Sequence, residues 1–146
     1  MKNLSKRQSN LSKLIALSWQ QKMLLIKAFS VLTVFKGLLL VLPFNFFLKK
    51  VNYNASASAE TDEHVLGMIV WSIRVVSNNM PLGFTCLVQA LSAKWLLKKY
   101  PTVRIHIGVR KGADQAFSAH AWVAYNEKII LGEQTTQVFQ PILEWN

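Results

Sequence analysis

Cysteine is almost missing from this chain: Cys86 stands alone among 146 residues. One thiol excludes an internal disulfide and any cysteine-rich zinc site. The three histidines, His64, His106 and His120, do not stand at ligand spacings such as HExxH. GxGxxG, the phosphate-loop lysine motif and GxSxG are absent as well, so no metal and no cofactor is expected. Acid is scarce too: seven Asp and Glu oppose seventeen Lys and Arg, for a net charge of +10. No acid falls within residues 1–59, where nine of the seventeen bases lie. Only 16% of residues are charged while 51% are hydrophobic, which excludes a disordered chain and leaves one domain with a real core.

A basic, acid-free half seeks anionic company: a membrane surface, an acidic partner or substrate, or nucleic acid. The segment lacks aromatic-and-glycine sheet motifs and any recognition helix, so nucleic acid is not an expected partner. From Leu11 onward Leu14, Ile15, Leu17, Trp19, Met23, Leu24, Ile26 and Phe29 recur at helical spacing, giving one or two helices that Pro43 ends or kinks. The charge-free run Gly37–Leu48 is shorter than the roughly 20 residues a bilayer core needs, and extending it to Ala28 takes in Lys36 at a cost of about 2.5–3.5 kcal/mol. A span, an interfacial helix and packing against protein all stay open, and peripheral membrane contact through residues 11–50 is one expectation. The small, polar stretch 52–61, with Ala55-Ser56-Ala57-Ser58-Ala59, reads as a linker rather than a cleavage site, because a leader before it would be too long.

Beyond the linker, Thr61 or Asp62 can cap a helix whose buried stripe is Val65, Met68, Ile69, Ser72, Ile73 and Val76, with His64 solvated at its start. Pro81 and Gly83 then turn the chain, Thr85 can cap, and Leu87, Ala90, Leu91, Lys94 and Leu97 follow at helical spacing. Cys86 therefore enters the first turn of a helix, where unpaired N–H groups and the positive end of the dipole favour a thiolate nucleophile. Taken alone, such a residue is more often a small core side chain. Past Pro101 the period becomes two. Val103, Ile105, Ile107 and Val109 alternate with Arg104, His106 and Gly108; after a turn, Phe117, Ala119, Ala121 and Val123 alternate with Ser118, His120, Trp122 and Ala124; Asn126-Glu127 turns into a third strand, 128–131. A cysteine at a helix start and a histidine on an antiparallel sheet suit a nucleophile and its general base.

The blocks Cys86-Leu-Val-Gln-Ala-Leu91, Ile107-Gly-Val109 and Ala119-His-Ala-Trp-Val123, in that order, resemble the transglutaminase-like leader peptidases of lasso-peptide biosynthesis. The resemblance implies an α+β fold of the transglutaminase-like (papain-like) cysteine protease type. In it a catalytic helix packs on a small antiparallel sheet of three or four strands, after a helical extension. The implied division is 1–51 extension, 52–61 linker and 62–146 peptidase domain. It implies a cytoplasmic cysteine protease that cuts the leader from a ribosomally made precursor, with Cys86 as nucleophile and His120 as general base and acid. Its partners would be the precursor's leader peptide, a separate small leader-recognition protein and the ATP-dependent lasso cyclase. The family's third member, an Asp about a dozen residues past the His, is missing: that place reads Leu131-Gly132-Glu133. Glu133 is the expected orienting group and Asn126 its alternative. Cys86 N–H would serve the oxyanion hole with a second donor from Asn78, Asn79 or Gln89, and Trp122 would wall the site. The other readings are a basic, membrane-peripheral peptide-binding adaptor without catalysis, and acyl transfer to an amine by the same Cys-His pair.

Overall fold

Three short polar side chains begin the three helices by satisfying amides that a first turn leaves unpaired. The computed structural model describes residues 16–43, 62–100, 102–111, 117–133 and 139–145. The expectations for the N-terminal residues to Ile15, for the part of the charge-free run beyond Pro43 and for the linker fall outside them. Ser18 and Gln21 form a reciprocal capping box that starts α1, Trp19–Val41. The helix runs unbroken through Lys36 and Gly37 and stops two residues before Pro43, as that ring requires. The Asp62 carboxylate accepts from the amides of His64 and Val65 to start α2, Glu63–Asn79. The Thr85 hydroxyl accepts from Val88 N–H to start α3, Cys86–Leu96.

One expectation for α2 is corrected. Val65 is exposed and Met68 only half-buried, whereas Leu66 and Val70 join Ile69, Ser72, Ile73 and Val76 in the buried stripe. The helix is apolar over more than half its circumference, so periodicity alone left its rotation loosely fixed.

Four antiparallel strands form the sheet: β1 (Val103–Lys111), β2 (Phe117–Tyr125), β3 (Lys128–Leu131) and β4 (Gln140–Trp145), in the order β3-β2-β1-β4. Asn126 and Glu127 both adopt positive φ, 48° and 64°, the backbone that a two-residue hairpin twist demands between β2 and β3. All three helices share one core with one face of this sheet, through Leu32 of α1, Ile73 of α2, Leu91 of α3, Ile105 of β1 and Val123 of β2. Burying each such side chain is worth about 1.5–3 kcal/mol. Two long side chains add polar ties across the layers. Arg74 donates to the Ile130 carbonyl at 2.7 Å, and Lys94 donates to the Val103 carbonyl at 3.0 Å. Burial holds the Lys94 ammonium below its usual pKa.

Strand alternation decides what the other face carries. Ala121 and Val123 go to the helix side, so His120 and Trp122 stand on the opposite face, paired across β1 with Gly108 and His106.

Candidate active site

Cys86 is the first residue of α3 and is half-buried. Its turn is braced from two sides. The Gln89 side-chain amide donates to the Phe84 carbonyl at 3.0 Å, and Lys36 of α1 donates to the Leu82 carbonyl with its ammonium over the Phe84 ring. The lysine that interrupts the apolar helix thus holds the loop that presents the thiol. The first amides of α3, Cys86 N–H among them, have no partner inside the helix by construction and can receive an oxyanion. Asn79 spends its side-chain amide on the Val75 carbonyl at 2.7 Å, Asn78 is exposed, and Gln89 is engaged as described.

The direction of α3 sets the thiol's level on the sheet. Its C-terminal end is tied through Lys94 to Val103, which pairs with Tyr125 at the far end of β2. Cys86 lies eight residues earlier, about 12 Å along the helix axis, a length that corresponds to three or four residues of strand. Among the described residues no hydrogen bond joins the Cys86 sulfur to the imidazole, and His120 leaves β2 on the face away from the core.

The imidazole itself is held firmly. Its Nε2 lies 2.7 Å from the carbonyl oxygen of Gly132. A carbonyl only accepts, so Nε2 carries the proton in the neutral ring and Nδ1 keeps its lone pair as the base. The ring lies 6.3 Å from that of Trp122, nearly parallel, and 5.3 Å from that of Phe139. Trp122 also stacks on His106 at 5.6 Å with the planes 9° apart, so it stands between the two histidines as a wall. Gly108 makes this possible. A Cβ there would come within 2.8 Å of the Trp122 ring and 2.9 Å of Phe139.

A carboxylate was expected on the far side of the imidazole, and the group found there is the main-chain carbonyl one residue earlier. Glu133 is exposed and makes no hydrogen bond or ion pair with His120 among the described residues. Asn126 occupies the hairpin turn six residues along β2, about 20 Å from His120 at ordinary strand rise. Gly132 has a φ of +81°, and a Cβ on it would sit 2.7 Å from the Ala121 carbonyl oxygen and 3.0 Å from Trp122 Cα. Glycine is what lets the chain turn tightly beside β2 and aim its carbonyl at the ring. Gly108, Gly132 and Phe139 went unrecognised in the sequence. The two glycines at positions flanking the His-Trp pair were the available signal; Phe139, just ahead of a strand that pattern left undrawn, gave none.

Among the described residues no group of three or more His, Cys, Asp or Glu could hold a metal ion. Residues 30–144 match the family model described as the Transglutaminase-like superfamily. Comparison with curated proteins and with solved structures gives no match.

Proposed function

The chain belongs to the transglutaminase-like superfamily, and on that premise we propose that it is a cysteine peptidase that removes the leader from a ribosomally made lasso-peptide precursor. The observation that carries the reading is the 2.7 Å contact between His120 Nε2 and the Gly132 carbonyl, which takes up Nε2–H in the neutral ring and leaves the lone pair on Nδ1. In the proposed cycle Nδ1 takes the proton of the Cys86 thiol, and the sulfur attacks the scissile carbonyl. The oxyanion that forms is received by Cys86 N–H at the start of α3. The imidazolium then gives its proton to the leaving amine, and the C–N bond breaks to leave a thioester. Water, deprotonated by the same Nδ1, hydrolyses that thioester and restores the thiol. The cycle needs sulfur and imidazole within hydrogen-bond reach; Cys86 packs on the helix side of the sheet and His120 leaves β2 on the other face, so substrate binding must rearrange the chain to bring the pair together.

The sequence blocks around Cys86 and His120 supply the finer part of the reading, the leader peptide as substrate. A separate leader-recognition protein would bring the precursor, and the ATP-dependent cyclase would take the product. The test is mass spectrometry of the precursor peptide incubated with this chain, with and without that small partner. Cleavage at one bond, abolished in Cys86→Ala and in His120→Ala, is expected. Cleavage that persists in either variant would contradict the assignment, and incorporation of an added amine in place of water would move it to acyl transfer.

A further inference from the structure

α1 is apolar on two opposite sides, and the domain uses only one of them. Leu25, Ala28 and Leu32 point into the shared core. Trp19, Met23, Ile26, Val34, Leu38 and Val41, roughly half a turn away around the helix, are exposed, Trp19 by 76% and Val41 by 81%. Such a stripe along a whole helix is more than scattered surface hydrophobics account for.

Three observations say what covers it. First, the two hydroxyls on the exposed side need no water: Ser30 Oγ donates to the Ile26 carbonyl at 2.9 Å and Thr33 Oγ1 to the Phe29 carbonyl at 2.8 Å. Second, from Phe29 onward the exposed side carries no ionisable group, because Lys36 turns to the Leu82 carbonyl. Third, residues 1–59 hold nine bases and no acid, and the exposed Lys27 stands within the stripe, near the N-terminal half of the helix, where a long side chain can carry its ammonium out to the headgroups. An apolar face on a helix that carries Lys27 within a basic, acid-free sequence matches an anionic lipid surface, whose headgroups attract the bases while the acyl region takes the stripe.

The helix is long and apolar enough to cross a bilayer, but its inner side is shared with α2 and α3, whose own residues include Glu63, Arg74 and Lys94. It cannot be surrounded by lipid while it keeps that packing. We propose that α1 lies in the membrane interface, its outer stripe in an anionic leaflet and its inner stripe in the protein core, and holds the domain at that surface. The inference is independent of the chemistry assigned to Cys86.

The test is flotation of the full chain with vesicles of phosphatidylcholine alone and of phosphatidylcholine with phosphatidylglycerol. Binding is expected with the anionic vesicles, and Ile26→Asp with Val41→Asp should lower it by about tenfold with an unchanged circular dichroism spectrum. A second readout needs no fold-sensitive variant: anionic vesicles should shift the tryptophan emission to the blue, and Trp19→Phe should remove most of the shift. Failure to float, flotation unaffected by the double variant, or a stable dimer in free solution that the double variant splits would overturn the proposal, the last by making a second copy the cover.

Discussion

The imidazole of His120 is fixed by a group that has no side chain. Where a carboxylate would both orient the ring and stabilise its positive charge, the Gly132 carbonyl orients it with a dipole alone. The consequence can be measured. Gly132→Ala forces a side chain into a positive-φ position and against the Ala121 carbonyl, so the carbonyl must move off the ring. Turnover is expected to fall by at least about tenfold, with a ceiling of about 10⁴ set by loss of the correct tautomer in the serine-protease template. Glu133→Gln should leave it nearly unchanged. Nitrogen chemical shifts of the His120 ring separate misorientation from simple unfolding: wild type should show the Nε2–H form, and a Gly132→Ala protein that still shows it would contradict this role. Cys86 and His120 were legible in the sequence as a candidate nucleophile and base because each sits in a patterned element, a helix start and a strand. The orienting group was not, because a main-chain acceptor leaves no residue type to read, and a search for a third member by side-chain chemistry passes over glycine. Asn126 shows the converse: an amide suited to catalysis by type is used for its tolerance of a left-handed backbone in the β2–β3 turn.

The element that matters most is α3. Its start was legible to the residue, since Thr85 caps it and the apolar spacing begins at Leu87. The cap also sets the first turn in which the Cys86 N–H stands without a partner inside the helix. Thr85→Ala should destabilise the fold by about 1 kcal/mol, read as a lower urea midpoint at constant m-value. Thr85→Ser, which restores the hydroxyl, should recover most of it. No recovery with Ser would mean that packing of the threonine methyl group, rather than the cap, is what counts. β1 and β2 were legible from their period of two and the β2–β3 hairpin from Asn126, whereas β4 was not drawn. What the alternation could not say was which face meets the helices. In β2 one side reads Ala119, Ala121 and Val123 and the other reads His120, Trp122 and Ala124, and only the packed structure shows that the alanine side is the inner one. The rotation of α2 escaped for a related reason: with apolar residues at both Val65 and Leu66, helical spacing accommodates either at the edge of the stripe.

At the scale of the whole molecule, the charge division of the sequence corresponds to a division of labour in the fold. The acid-free N-terminal part supplies α1, which closes the core on one side and offers an apolar stripe on the other, while the C-terminal part carries Cys86 and His120. Lys36 couples the two, since it holds the Leu82–Phe84 loop from which α3 starts. The sequence left α1 open between span, interface and packing because its apolar residues surround the helix and give periodicity little to act on; the core contacts of Leu25, Ala28 and Leu32 supply the missing constraint. The claim on which the rest depends is that Cys86 and His120 act as one chemical unit, although α3 and β2 present them from different layers. Its most direct measurement is the rate of Cys86 alkylation by iodoacetamide near neutral pH in the wild-type chain and in His120→Ala, with folding of both confirmed. Wild-type Cys86 should react far faster than free cysteine, and His120→Ala should remove the excess. A wild-type rate no greater than that of free cysteine, or one that His120→Ala leaves unchanged, would contradict that claim and leave Cys86 as a side chain of the core.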